Sequence, residues 1–230
     1  LVVVRGGQSV PVDGEITEGN AFLDESAITG VYKTVNGTDA QLQRINDGIK
    51  EMSTQIPATT TQIAGVAEAA GQLGIATDDV LDFTRVMIDL GESTNLSADE
   101  AASGLAKFSN ITGTSAANYG RLGSVIVGLG NNFATTEADI VSMGTRLASA
   151  GTLAGLTEPE IMALATAMSS VGIEAEAGGT AMAQTLSAIE TAVANGGDKL
   201  EEYARISGVS AKEFSAMWKT HAVDALQLFI

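Results

Sequence analysis

The 230-residue sequence has no cysteine and a single histidine, His221. The first absence excludes a disulfide framework, a thiolate nucleophile and cysteine metal ligands. The second excludes a multi-histidine zinc cluster and any triad that needs a further histidine. Basic residues are scarce: 12 Lys and Arg face 28 Asp and Glu, for a formal net charge of −16. Such a surface repels phosphates, so direct nucleic-acid binding is not expected. Aromatic residues make up 4% of a chain that is 45% hydrophobic, so Ala, Leu, Ile, Val and Met supply the burial, which favours helices. Mean hydropathy is +0.19, yet long apolar runs are missing. The least charged stretch, Phe108 to Thr136, carries only Arg121, and its continuous apolar part, Leu122 to Gly130, is about half of the roughly 20 residues a membrane span needs. No basic segment opens the chain, so no signal peptide is read. The first residue, Leu1, and the apolar end, Ala225-Leu226-Gln227-Leu228-Phe229-Ile230, read as an excision from something longer. Length alone allows one or two domains with a real core.

Character changes near residue 30. Leu1-Val2-Val3-Val4, closed by Gly6-Gly7, and Val10-Pro11-Val12-Asp13-Gly14-Glu15-Ile16, with its Asp-Gly turn signal, predict a small β-hairpin segment over residues 1–30. Glu18-Gly19-Asn20 marks a further turn. One basic and five acidic residues lie up to Gly30, eleven basic and 23 acidic beyond it.

From Asp39 onward the spacing is helical. Leu42, Ile45, Ile49, Met52 and Ile56 step by three and four, and Ile63, Val66, Ala70 and Leu73 continue the register, with Thr59 its only break. This heptad pattern over residues 31–76 predicts a helical hairpin within one chain or a coiled-coil seam between copies. Pro57 requires two helices or one kinked helix. Downstream, residues 77–230 read as an array of short helices, giving nine or ten of 10 to 17 residues after residue 31 and a mainly α fold. Starts are written as capping boxes at Ser97, Thr157 and Ser210, each with Glu three positions on (Glu100, Glu160, Glu213), and as acidic first turns after Thr77 and Thr135-Thr136. Stops fall at Gly74, Gly91, Gly113, Gly130, Gly151, Gly172, Gly196 and Gly208. Apolar stripes such as Val80, Phe83, Met87, Leu90 and Met182, Leu186, Ile189, Val193 lie between them.

No catalytic, cofactor-binding or metal-ligating residue is predicted. The pairs Asp78/Asp79, Asp99/Glu100, Glu158/Glu160 and Glu201/Glu202 are explained mostly by capping and the helix dipole. Glu174-Ala175-Glu176-Ala177-Gly178-Gly179 reads as a solvated loop between two helices, with cation binding the weaker alternative. Trp218 and His221 are placed together on the last helix, as packing or surface residues. Gly6-Gly7, Gly178-Gly179, Gly196-Gly197 and Gly120-Arg121-Leu122-Gly123 form no phosphate or dinucleotide fingerprint. Asn110-Ile111-Thr112 matches a glycosylation acceptor only as a string.

Two resemblances follow, one for each segment. Val10-Pro11-Val12-Asp13-Gly14-Glu15 and Asp24-Glu25-Ser26-Ala27-Ile28-Thr29-Gly30 resemble the actuator domain of P-type cation-transporting ATPases. The resemblance implies a Thr-Gly-Glu loop whose glutamate positions the water that hydrolyses an aspartyl-phosphate. Thr29 and Gly30 match, and Val31 stands where that glutamate is needed. Asn132-Phe133-Ala134-Thr135-Thr136-Glu137-Ala138-Asp139-Ile140, Gly155-Leu156-Thr157-Glu158-Pro159-Glu160-Ile161 and the run from Ser169 through Gly172, Ile173, Glu174, Glu176 and Gly179 to Met182 are similar to the core of phage tail tape measure proteins, over residues 33–230. That resemblance implies a noncatalytic structural protein in the lumen of the virion tail, present in the host cytoplasm during assembly. Its partners would be tail tube, tip and assembly chaperone proteins and further copies of itself, with no cofactor. Together the two mark the chain as chimeric, with residues 1–30 docked loosely on the helices. The alternatives are a fragment of a P-type ATPase and a helical coiled-coil adaptor.

Overall fold

The computed structural model describes residues 26–230, and every element among them is helical. In chain order they are α1 (Ser26–Thr34), α2 (Asp39–Gln55), α3 (Thr60–Gln72), α4 (Val80–Ser93), α5 (Ala98–Thr112), α6 (Tyr119–Asn132), α7 (Glu137–Leu153), α8 (Glu158–Ser170), α9 (Ala175–Asn195), α10 (Asp198–Ile206), α11 (Ala211–Thr220) and α12 (Ala222–Phe229). Single 3-10 turns lead into α4 at Thr77–Asp79 and into α6 at Ala116–Asn118.

Two kinds of link alternate from α2 to α8. In the first, the helix ends on a residue in extended backbone and a Ser or Thr three positions later caps the next helix: Ile56 to Thr59, Thr94 to Ser97, Phe133 to Thr136. Each cap hydroxyl accepts the N–H three residues on, at 3.2 Å, from Gln62, Glu100 and Asp139 respectively, which satisfies a donor that the helix start leaves orphaned. In the second, a glycine with positive φ follows the helix, at Gly74, Gly113, Gly155, Gly172 and Gly208. The next N–H then reaches back five residues, from Ile75 to Ala70, Thr114 to Ser109, Leu156 to Gly151, Ile173 to Met168 and Val209 to Ala204, at 2.9–3.2 Å. This is the Schellman closure, and the left-handed backbone it needs is why glycine stands there.

The alternation makes helix pairs. The glycine turn lies inside α3–α4, α5–α6 and α7–α8, and the extended link lies between pairs up to α7, so the caps Thr59, Ser97 and Thr136 recur 38 and 39 residues apart; α8 joins α9 by a further glycine turn, at Gly172. Helices α1, α3, α5, α7 and α9 pack side by side as one layer, and α2, α4, α6 and α8 as the other. Every substantial helix–helix contact is with a neighbour one or two places along the chain, the organisation of an α-solenoid. Between the layers lie Ile49, Ile63, Phe83, Met87, Leu105, Phe108, Ile126, Ile140, Met143 and Leu147, all essentially inaccessible. Small residues set the approach of neighbouring helices: a Cβ on Gly144 would lie 2.7 Å from Met162 Sδ, and one on Gly151 2.8 Å from Ile161 Cγ1. Beyond α9, a smaller cluster of α10–α12 is anchored by Trp218, 2% exposed. Its Nε1 donates to Glu190 Oε2 of α9 at 2.7 Å, and its ring stacks on Phe214 at 6.3 Å.

Several expectations need correction. The β-hairpin expected over residues 1–30 falls mostly on residues 1–25, outside the described residues; no strand occurs among the described ones, and Ser26 to Gly30 begin α1 instead. Tertiary packing decides this, because Val31 and Val35 are spaced to bury against α3. The heptad seam closes within the chain: Ile45, Ile49, Met52, Ile63, Val66 and Ala70 are buried in the shared core, and Pro57 separates two helices, with Ile56 forced into extended backbone. Gly91, Gly130 and Gly151 lie inside α4, α6 and α7 rather than ending them, where each has a close neighbour (Ala98, Glu137 and Ile161). Thr77 is not a cap but donates to Asn36 O across the first glycine turn. Residues 175–179 are the first turn of α9 rather than a loop. His221 sits in the break between α11 and α12, exposed, while Trp218 belongs to α11.

Candidate interaction edge

Because consecutive helices are joined by short links, the links collect along two edges of the stack, and side-chain hydrogen bonds join several neighbouring links. On one edge, Thr77 bonds Asn36 O, Asn110 Nδ2 donates to Leu73 O at 3.0 Å, and Thr114 Oγ1 donates to Glu158 Oε1 at 3.1 Å. On the other, the Ala138 N–H reaches Asn95 Oδ1 at 3.2 Å, and Thr135 Oγ1 donates to Ser169 Oγ at 2.7 Å.

The Thr135–Ser169 bond brings together two stretches that the sequence singles out separately, residues 132–140 and 169–182. The third, residues 155–161, forms the glycine turn on the opposite edge, with Thr157 N–H and Oγ1 both donating to Glu160 Oε2 at 2.8 Å. Where the first two meet, a cavity of about 350 Å³ opens between the start of α7 and the α8–α9 turn, bounded by Asp139, Ser142, Arg146, Ser169, Glu174 and Glu176. The lining thus holds three acidic residues and one basic residue. Asp139 accepts from the Thr136 hydroxyl at 2.6 Å as part of the α7 cap. Arg146 takes part in none of the three ion pairs found among the described residues, which join Arg44–Asp78, Arg85–Asp89 and Lys199–Glu202 on open surface.

The same edge exposes apolar side chains. Phe133 is 54% exposed, Val171 73% and Ile173 41%. In the other glycine turns the residue after the glycine is covered: Ile75, Thr114 and Leu156 are buried and Val209 is half-buried. That contact ordinarily completes a Schellman turn. Ile173 departs from the series. It lies over Gly178, where any Cβ would collide with it, and so stays at the surface as a cover for the first turn of α9.

The other candidates disperse. Asp99/Glu100 and Glu158/Glu160 occupy first helical turns. The Ser97 cap holds the Glu100 carboxyl below the usual range through its backbone N–H and then its hydroxyl, and the Ser210 hydroxyl and backbone do the same for Glu213. Asp78 pairs with Arg44 at 3.3 Å on the surface. Glu201 and Glu202 lie on α10, where Lys199 holds Glu202 low. Burial, then the charge of Asp79, pushes the Tyr119 hydroxyl up, an effect of packing beside Phe83 rather than of a site. Gly120-Arg121-Leu122-Gly123 opens α6, and Gly196-Gly197 is the turn into α10. Among the described residues, no group of histidine and carboxylate side chains could hold a metal ion, and no helix is long and apolar enough to cross a membrane. Of the actuator-like loop, Thr29 and Gly30 lie in α1, and Val31, in the place of the glutamate, is 2% exposed.

The helix-pair repeat, and the convergence of residues 132–140 with 169–182, are the functional features that motif reading missed. The regular return of Ser or Thr caps after Ile56-Pro57, Thr94-Asn95 and Phe133-Ala134 is the signal that carries the repeat.

Comparison with known proteins finds two families on the chain. A family model described as phage-related minor tail protein matches residues 46–230. A second, the P-type ATPase actuator domain, matches residues 1–70, further than the stretch to Gly30 that the motif itself covers, so the two overlap on α2 and α3. The chain is 46% identical over 68 residues to a potassium-transporting ATPase ATP-binding subunit of Deinococcus radiodurans, covering 28% of this chain and 10% of that protein. It is 36% identical over 76 residues to a probable copper-exporting P-type ATPase V of Mycobacterium tuberculosis, covering 31% and 10%. The chain thus spans about a tenth of the length of these curated relatives. No solved structure matches.

Proposed function

Because the chain belongs to the phage-related minor tail protein family, we propose that it is part of a tail tape measure protein, a noncatalytic structural component that sets tail length and helps assemble the tail of a long-tailed phage or prophage. The observation that carries this reading is the coincidence of the family match with a one-dimensional stack of helix pairs. Such a stack grows along one axis by whole units, which suits a part whose length is what matters. An acidic surface fits a protein that shares a tube with DNA and must not adhere to it. In this reading its partners are tail tube, tip and assembly chaperone proteins and other copies of itself, and it resides in the tail lumen after assembly in the host cytoplasm.

The actuator-like segment supports the second reading, a fragment of a cation-transporting ATPase, over residues 1–70. That reading lacks its hydrolytic carboxylate at Val31. The deciding experiment deletes one helix pair, residues 97–135, from the gene in its phage and measures tails by electron microscopy. A uniform population of shorter tails supports the proposal; tails of unchanged length overturn it.

A further inference from the structure

We propose that the edge carrying Phe133, Val171 and Ile173 is a docking surface for a cationic segment of another protein, in which an apolar side chain is flanked by Lys or Arg. The inference deepens the tail-assembly reading and rests on it for the setting, though not for the chemistry.

The apolar half of the argument is exposure. Val171 is 73% exposed and Phe133 54% exposed, on two links that the Thr135–Ser169 bond holds together. Ile173 adds a third apolar group, at the one Schellman turn of the stack whose closing residue is open to solvent. Three exposed apolar groups on one edge supply the hydrophobic centre that such an interface needs.

The polar half decides what covers them. Asp139, Glu174 and Glu176 border the 350 Å³ cavity beside that patch, against the single cation Arg146. Glu174 precedes α9 and accepts no capping N–H, so its carboxylate is not committed to the helix start. A second copy of this chain would bring the same carboxylates and a net charge of −16, which opposes self-docking at this edge. Nucleic acid and anionic lipid are repelled for the same reason. A basic partner segment is attracted, its apolar side chain covering Val171 and Phe133 while its cations reach the three carboxylates. Charge complementarity of this kind guides encounter and fixes register, and the apolar contact holds the complex. The elements are stiffly placed: a Cβ on Gly179 would lie 3.0 Å from Arg146 Cβ and 3.2 Å from Met143 Sδ, so α9 is locked against α7 and the edge is preformed.

The test titrates the full chain, labelled for NMR, with a short synthetic peptide carrying one phenylalanine between lysine pairs, and with a counterpart in which the lysines are glutamates. The expected result is shift changes concentrated at residues 133–146 and 169–176 with the basic peptide only. Glu174→Gln with Glu176→Gln should weaken binding at least fivefold, Val171→Ser should do likewise, and Asp82→Asn with Glu92→Gln on the acidic face of α4 should leave it unchanged. Two results would overturn the proposal: shifts spread evenly over all acidic faces, or equal binding by the Glu174/Glu176 variant. Either would leave the tail-length experiment untouched, so the two readings fail separately.

Discussion

Replacing Phe83 by alanine tests whether the stack is one-dimensional in energy as it is in contacts. The Phe83 ring is fully buried on α4 and meets Tyr119 of α6 edge-on, with centroids 5.2 Å apart and planes at 79°. Truncating a buried phenylalanine costs about 3–5 kcal/mol in transfer and cavity terms. Loss of the edge-to-face partner places this site in the upper part of that range. At about 1.4 kcal/mol per decade, protection of the amides in α3 to α6 should fall by roughly three orders of magnitude or slightly more. Since α4 touches only α2, α3, α5 and α6 substantially, the amides around Ile189 and Trp218 in α9 and α11 should keep their rates. Native-state hydrogen exchange read by mass spectrometry resolves the two regions directly. A uniform loss of protection from α3 to α11 would mean that the chain unfolds as one unit, and would refute the argument from nearest-neighbour packing.

Two further outcomes check the links themselves. Gly113 has φ 75 in the α5–α6 turn, so Gly113→Ala should destabilise by about 1–2 kcal/mol, whereas Gly65, in the interior of α3 with open space where a Cβ would stand, should stabilise by up to ~1 kcal/mol as Gly65→Ala; thermal melts that move in the same direction for both would contradict the turn assignment. The caps at Ser97 and Ser210 hold the Glu100 and Glu213 carboxyls below their usual range. Their contribution is therefore complete above the unfolded glutamate pKa and is lost as pH falls through the lowered folded value. A carboxyl-carbon NMR titration should find both below the same glutamates in unfolded peptides, and Ser97→Ala should return Glu100 towards the ordinary range.

How far the sequence discloses this fold depends on the range of the interaction that decides each feature. Capping is local, so Ser97, Thr136 and Ser210 announce their helices without reference to the rest of the chain. The same holds for Gly74, Gly113 and Gly208, where only left-handed backbone closes the helix. Gly130 and Gly151 mislead because their role is to admit Glu137 and Ile161 from the start of the next helix, a fact of packing between helices rather than of turn chemistry. The heptads of α2 and α3 are ambiguous for a related reason: a seam looks alike whether its partner is another chain or the next helix, and burial of Ile49 and Ile63 in one core removes the ambiguity. The interaction edge is the least legible feature, since Thr135 and Ser169 meet only after two helices have folded back.

Val31 is where the two halves of the sequence make opposite demands. An actuator loop requires a carboxylate after Thr29-Gly30, and the helical stack requires an apolar residue there. The structure follows the stack. Val31 is 2% exposed and Val35 5% exposed, and α1 lies so close to α3 that a Cβ on Gly71 would stand 2.7 Å from Val35 Cγ2. Glu68, also on α3, already occupies the space beside Gly30. Val31→Glu, which restores the actuator-like triplet, therefore buries a charge in an apolar site, at a cost of several kcal/mol. Exchange protection of α1, and of the α3 amides it covers, should collapse near neutral pH and recover in acid as the new carboxyl takes up a proton, while α7 to α9 are unaffected. If the variant instead keeps full protection in α1, then Val31 is not a core residue, and the first described helix belongs with the segment before it rather than with the stack.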